Sequence, residues 1–523
     1  MARVALVLLA LALLVPGGGA PEGQTTPDTL VQVAWAGAPL ATRLLRERGG
    51  MPLAPGLGIW RARPEVAREL ATRGLLRVSE PDRPAVSLRA TVPPDPYTLA
   101  QWWRSAVGAD RIEPPGPGKP VTVVDTGLDA GHPEFAGRPN TILLNRQAVA
   151  AGDPSGGHGT AVSSVIAAPA NGIGLIGVYP EAVLQEWDAA TLTVGELIRG
   201  IDAAAARGPG VINMSFALVE PSGLLEKALL SAFRRGSLLV AGAGNEYASG
   251  NRVLYPSSSN HVLTVAATDE ADDPTFFSSA SLAIDLAAPG QNIPVAVPVW
   301  DDPLGFSIDD GTSYAAPIVS GAAAWVWTAR PGLDNTQLFE LMRQSAKDIG
   351  ESGFDQATGY GLLDIPAALT RAAVPPDPQE PNDDVEHVRA HGLFREATAP
   401  LTRPGRPGRS LAARLDLTED PQDVYRVWLP ARGRVTVTAR ADGNADLELW
   451  ETLTRSVNVR GVARRRNLVA ESSHPGAGTE TVSAASRGRA GRFLYVRAFL
   501  PKRGSLAVDY TLTVRTAAVS VRR

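Results

Sequence analysis

From Val121 onward the chain repeats a pattern that few folds accommodate: short uninterrupted apolar runs alternate with segments of helical period. The runs lie at 121–124, 182–187, 211–215, 238–241 and 261–267. A strand apolar on both faces belongs in a parallel sheet covered by helices on each side, not in a half-solvated antiparallel one. Helical segments at 193–206 and 224–235 lie between runs. The first opens with Thr193 and Glu196 at capping-box spacing, and the second is ended by Gly236. The expected fold class is therefore α/β, a doubly wound mostly parallel sheet whose ligand site lies beyond the carboxyl ends of its strands.

The flanks follow other rules. Residues 30–90 read as a small α+β unit: strands near 31–35, 57–62 and 75–78, and helices at 41–48 and 64–73, the latter opening on Pro64 and closed by Gly74. Pro81, Pro84, Pro93, Pro94 and Pro96 then break regular structure and mark a linker. A second linker, Pro375-Pro376-Asp377-Pro378, precedes a region of period two, as in Arg434-Val435-Thr436-Val437-Thr438 and Asp509-Tyr510-Thr511-Leu512-Thr513-Val514. Such segments between Gly and Asp turns predict an antiparallel β-sandwich.

At 523 residues the chain is too long for one core. Its 44% apolar and 20% charged residues are those of a globular protein, and a net charge of -4 gives no bulk field toward nucleic acid or an acidic membrane. Arg3, the apolar run 4–15, then Pro16, Gly17 to Gly19 and Ala20 form a signal-peptide pattern, too short for a bilayer span of about 20 residues. The expected location is outside the cell or in the periplasm. The absence of cysteine excludes a cysteine nucleophile, a thiolate metal site and disulfide support.

Three motifs carry candidate chemistry. Asp125-Thr126-Gly127 directly follows a strand; His158-Gly159-Thr160 opens a helix of small residues; Gly311-Thr312-Ser313-Tyr314-Ala315-Ala316-Pro317 opens an apolar helix. Each alone has a structural explanation: a turn, a core histidine, a helix cap. Asp-Thr-Gly also occurs in aspartic proteases, but that chemistry needs two carboxylates sharing a proton, and the motif occurs once here. The chain order Asp, His, Ser differs from that of α/β-hydrolases and of chymotrypsin relatives.

From about Tyr97 to Leu369 the chain closely resembles the subtilases. The resemblance rests on those motifs, on Val211-Ile212-Asn213-Met214-Ser215, Ala241-Gly242-Ala243-Gly244-Asn245 and Tyr360-Gly361-Leu362-Leu363-Asp364, and on their spacing. It implies a subtilisin-like serine endopeptidase with Asp125, His158 and Ser313 as triad and Asn245 as oxyanion donor. It also implies that Ser215, Phe216 and Ala217 run along the bound peptide, with Gly242, Ala243 and Leu254 at the pocket for the residue on the acyl side of the cut. Ala217 stands where the family usually has Gly, Leu254 where relatives often carry a small residue, and Asp310 where Ser is usual. A preference for small or medium apolar side chains is expected, and the Asp310 side chain is expected to face solvent.

The segment 29–88 resembles the inhibitory propeptide of secreted subtilases. The C-terminal region resembles the bacterial pre-peptidase C-terminal domain through Glu380-Pro381-Asn382-Asp383, Asp423-Val424-Tyr425-Arg426-Val427 and Ala445-Asp446-Leu447-Glu448-Leu449. The expected organisation is a signal peptide at 1–20, propeptide and linker at 21–95, catalytic domain at 96–373, linker at 374–379 and sandwich at 380–523. The expected partners are polypeptide substrates and the chain's own propeptide as intramolecular inhibitor, with no nucleic acid and no membrane span. No cofactor is required for the chemistry. Structural calcium is an expectation from the resemblance, with ligands that the sequence does not name. The competing reading is a secreted binding or adhesion protein with an inactive protease domain.

Overall fold

The structure is a computed structural model that describes residues 29–82, 95–145, 156–501 and 505–518. The expected signal segment and most of the first proline-rich linker lie outside the described residues. The chain divides into two units, 1–91 and 92–523.

In the first unit four antiparallel strands are ordered Met51–Ala54, Ile59–Ala62, Thr29–Val33, Leu76–Pro81. Helices Ala38–Glu47 and Pro64–Thr72 bury Ala41, Leu44, Leu45, Val66, Ala67 and Leu70 in one core with Val31, Val33 and Trp60. Pro64 begins its helix as expected, and Gly74 follows it at φ +65°, the left-handed conformation that glycine adopts without strain. Met51–Ala54 is a strand the sequence did not announce: it is four residues long, contains Pro52 and is largely exposed, so no apolar alternation marks it.

The second unit is built on a seven-stranded sheet ordered Leu286–Pro289, Val262–Thr268, Leu238–Gly242, Val211–Met214, Pro120–Asp125, Val183–Asp188, Thr141–Leu143, with every pairing parallel. All five expected apolar runs are strands of this sheet. The subtilisin-like α/β architecture is thus present. Helix Val194–Ala206 is capped by Thr193, whose side chain accepts from the Glu196 amide, and helix Gly223–Arg234 ends before Gly236 at φ +90°.

The order of strands fixes where a site can form. The chain leaves Pro120–Asp125 toward one edge of the sheet, through Thr141–Leu143 and Val183–Asp188, then returns to the other side of the same strand at Val211–Met214. Asp125 therefore stands at the carboxyl end of the strand where the winding reverses, the place at which an open α/β sheet leaves a crevice. Helix Thr312–Ala329 is buried over most of its length, and its apolar side chains join the core shared with Val121, Val123, Val240 and Val265.

The C-terminal region forms two antiparallel sheets of four strands, Gly408–Asp416, Ala507–Ala518, Gly433–Ala441, Gly478–Ala485 and Gln422–Leu429, Arg492–Phe499, Asp446–Trp450, Leu468–Ser472. Alternate residues from both, such as Leu415, Val427, Val437, Leu449, Val496 and Leu512, fill one core. Period two in the sequence is read here as one buried face per strand.

Candidate active site

Asp125 is the last residue of its strand and is fully buried. Its Oδ1 accepts from the Thr126 amide at 2.7 Å and lies 2.8 Å from Nδ1 of His158. A carboxylate there holds the imidazole with the proton on Nδ1, which leaves Nε2 as the basic nitrogen. The two motifs are locked by backbone contact. The Gly159 amide donates to Thr126 Oγ1 at 3.0 Å, and a Cβ on Gly159 would stand 2.3 Å from the Gly127 carbonyl oxygen, so no larger residue fits next to the histidine. Gly127 itself turns at φ +95°.

The charge of Asp125 raises the His158 pKa above 6.5, overcoming burial, which acts the other way; Asp309 adds to the rise. The neutral, proton-accepting form is therefore lost as pH falls through a value above 6.5. The attraction between the two groups stabilises the fold fully at lower pH and fades as pH rises through that same value, so base strength and this contribution to stability run in opposite directions.

Ser313 is the second residue of helix Thr312–Ala329. Pro317 lies inside the first turns and has no N–H, so the Ser313 carbonyl lacks its helical donor four residues on. Ser215 fills that vacancy: its hydroxyl donates to the Ser313 carbonyl at 3.0 Å, and Ser313 Oγ in turn lies 3.5 Å from the Ser215 carbonyl. Ser215 accepts from Asn213 Nδ2 at 3.0 Å, and Asn213 accepts from Ser320 Oγ at 2.8 Å, which closes a buried network between strand and helix. The ring of Tyr314, the residue after Ser313, stands 6.2 Å from that of His158.

Asn245 is exposed just past strand Leu238–Gly242. Its Oδ1 accepts from both the amide and the hydroxyl of Thr312 at 3.0 Å, which leaves the amide nitrogen as the outward donor beside the start of the Ser313 helix. Gly244 N donates to the same Thr312 hydroxyl at 3.1 Å. Thr312, Thr126 and Asn213 are thus parts of the site that sequence reasoning quoted inside motifs without giving them a task.

The flanking residues also fall around this centre. Ser215 is buried, Phe216 half-buried and Ala217 exposed, and the next residue, Leu218, forms an antiparallel bridge with Tyr255 at 2.7 and 2.9 Å. Gly242 packs against Thr312, where a Cβ would stand 2.8 Å from its carbonyl oxygen; Ala243 is buried. Leu254 is 5% exposed and lies so tightly on Gly244 that a Cβ there would meet its Cδ1 at 2.3 Å. Asp310 is exposed and accepts from the Asn292 amide at 2.7 Å, so it faces solvent. Its neighbour Asp309, which the sequence did not single out, turns inward and accepts from the Tyr314 hydroxyl at 3.1 Å.

A cluster of carboxylates stands elsewhere, where the sandwich begins. Asp377, Glu380 and Asp423 each bring a carboxylate oxygen within 4.8 Å of the others. Burial, with mutual repulsion, pushes Asp377 and Glu380 well above the ordinary carboxylate range. One oxygen each of Asp377 and Asp423 is buried without a hydrogen-bond partner among the described residues, and Asp423 has no exposed surface. Oxygen donors from carboxylates, partly orphaned and close together, fit a hard divalent cation such as calcium. Beside them burial works against ionisation of Asp383, yet His261 and His387, each 3.2 Å away, hold its carboxyl far below the usual range.

Comparison with known proteins points to one family. The Peptidase_S8 model, described as the subtilase family, matches residues 116–361. Subtilisin Savinase of Lederbergia lenta is 32% identical over 277 residues, which are 50% of this chain and 97% of that protein. Subtilisin of Bacillus pumilus is 32% identical over 279 residues, 52% of this chain and 98% of that one. Minor extracellular protease Epr of Bacillus subtilis is 30% identical over 283 residues, but these span only 42% of its length. Among solved structures, a psychrophilic subtilisin-like protease from an Antarctic Pseudoalteromonas is 19% identical, covering 51% of this chain and 96% of that one with a TM-score of 0.46. The identity across nearly the full length of the two subtilisins places this chain in the subtilase family.

Proposed function

We infer that the protein is a secreted serine endopeptidase that uses Asp125, His158 and Ser313 as a triad, with Asn245 as oxyanion donor. The observation that carries the reading is the 2.8 Å contact between Asp125 Oδ1 and His158 Nδ1 at the reversal point of the sheet, with the Ser313 helix packed in the same core. A serine hydroxyl is a weak nucleophile near neutral pH, so His158 Nε2 takes its proton as Oγ attacks the carbonyl carbon. The imidazolium then returns that proton to the leaving amine, and water repeats the sequence on the acyl-enzyme. Asp125 holds the tautomer and the positive charge. The Asn245 amide, together with backbone N–H groups at the positive end of the Ser313 helix, stabilises the oxyanion.

The tight Leu254–Gly244 contact supports a shallow acyl-side pocket that takes small or medium apolar residues. Replacing Leu254 with alanine is expected to raise kcat/KM for a substrate with phenylalanine at that position by about tenfold or more relative to one with alanine, tenfold being the low end of the effect of a single methylene in an apolar pocket. A peptide-library profile of the parent dominated by Arg, Lys or Phe overturns this assignment.

The unit at 29–82 acts in this reading as an intramolecular inhibitor and folding aid, supported by its position and by its α+β order. N-terminal sequencing of active, exported enzyme is expected to begin near residue 96; a fully active chain retaining its N-terminus argues against it. Calcium held by Asp377, Glu380 and Asp423 joins the linker to the sandwich. Excess chelator is then expected to lower the melting temperature, by the equivalent of about 2.7 kcal/mol at an ion concentration a hundredfold over Kd. Asp423→Asn abolishes that calcium response. A melting temperature indifferent to calcium in the parent rejects the site.

A further inference from the structure

A second carboxyl group is sealed beside Asp125, and the reaction as described gives it no task. Glu186 lies on strand Val183–Asp188 opposite Val123, so it shares a sheet face with Val123 and, one pleat further, with Asp125. It is 2% exposed. Its Oε2 accepts from Ser163 Oγ at 3.1 Å, a residue of the same helix that carries His158. Its Oε1 is buried and has no partner among the described residues. Asp125 mirrors this arrangement: Oδ1 takes two donors, the Thr126 amide and the imidazole, while Oδ2 is buried with no partner among the described residues.

Two buried oxygens left over on one face of adjacent strands cannot both belong to ionised groups at low cost, because like charges in a dry interior repel strongly. Among the described residues only one of the two carboxyls has a cation beside it, the imidazolium that forms on His158. The groups acting on Glu186 are Asp125, Asp188 and the Ser163 hydroxyl, and burial together with the Asp125 charge raises its pKa well above the ordinary range. Asp188 is directly across from Asp125 and accepts from the Ala190 amide at 2.8 Å. Glu186 is therefore the member that keeps its proton, and a neutral carboxyl has one hydrogen to donate.

We propose that Glu186 is a positioning residue which stays protonated and directs its O–H toward Asp125 Oδ2, directly or through one water, so that the triad acid is held on both oxygens. One oxygen then orients His158 while the other is fixed by a neutral donor that adds no charge to the site. The consequence for the histidine is a tuned basicity: a donor on Asp125 disperses its charge and keeps the His158 pKa lower than a bare carboxylate would make it. The inference rests on the triad reading above, and its test reads the histidine separately from turnover.

The experiment is the titration of His158 by NMR in a Ser313→Ala background, which also prevents self-digestion, with the acid limb of kcat/KM followed in the active parent series. Glu186→Gln keeps a neutral donor for Asp125 and an acceptor for Ser163, and is expected to leave the His158 pKa and the acid limb unchanged. Glu186→Leu removes the donor and is expected to move both upward by about one unit, the effect of one hydrogen bond to a charged group. If both variants move the histidine downward, Glu186 carried a negative charge and the proposal is overturned; if neither moves it, Glu186 only fills the core and the proposal is equally overturned. Should Glu186→Leu fail to fold, Glu186→Met, which also lacks a donor, takes its place: a rise of the same size supports the proposal and an unchanged or lower value overturns it. Failure of the triad itself has a different signature: hydrolysis that survives Ser313→Ala.

Discussion

Ser313→Ala is expected to lower kcat on an unfolded protein substrate by about 10⁶-fold while leaving the fold and substrate binding intact; the magnitude is the one known for a subtilisin, a member of this family. The size follows from the chemistry. Without Oγ there is no acyl-enzyme, so His158 and Asp125 have nothing to activate, and what remains is the electrostatic help of Asn245 and the helix terminus. The measurement is casein digestion at many sites beside labelling by a serine-directed fluorophosphonate. Parent protein is expected to digest casein and take the label, and the variant to do neither. Labelling that persists in the variant sinks Ser313 as the nucleophile, whereas a parent that takes no label and cuts nothing sinks the peptidase reading and leaves the binding or adhesion protein as its replacement.

The second large effect is on stability and concerns Arg343, in helix Asn335–Gln344. Its guanidinium reaches Asp285 at 3.3 Å, Glu340 at 2.8 Å and, in the sandwich strand Gly408–Asp416, Asp416 at 2.7 Å, while its side chain is 3% exposed. It also lies 4.6 Å from the centroid of the Tyr360 ring. Burial, with the charges of Asp416 and Glu340 adding to it, raises Asp285 to about 7 even with the arginine beside it. Arg343→Met leaves the buried carboxyls of Asp285 and Asp416 and the half-buried one of Glu340 without their common cation, and removal of one partner from such a cluster costs about 3 to 5 kcal/mol. Thermal or denaturant unfolding of the variant is expected to show a loss of that size, partly recovered at lower pH where the stranded carboxyls take up protons. A loss below about 1 kcal/mol means that solvent reaches the cluster.

The contrast between these two residues explains what the sequence made readable. Ser313, His158, Asp125 and Asn245 sit in short motifs whose spacing along the chain is informative, and the five apolar runs declare a covered parallel sheet because strands of that kind have no polar face. Arg343 and Asp416 come together only when the sandwich docks on the α/β domain, and Asp377, Glu380 and Asp423 only when the linker meets a sandwich strand, so no local sequence pattern shows that these charges are shared. Glu186 lies inside 182–187, which reads as one of the continuous apolar strands, so no buried acid is expected there. Asp309 and Asp310 are adjacent in sequence and opposite in direction, a difference set by the strand Phe306–Asp309 ending between them. Met51–Ala54 was missed because an exposed edge strand with a proline carries no pattern.

The separation of the site's parts along the chain also has a meaning for biosynthesis. The acid is on the strand Pro120–Asp125 and the hydroxyl on a helix that begins only at Thr312. At about 5 to 20 residues per second, Ser313 leaves the ribosome roughly ten to forty seconds after Asp125. On the triad reading, no folding of the emerging polypeptide assembles a competent centre before then, so an unfinished copy would have no hydroxyl with which to cut the proteins of the cell that is making it.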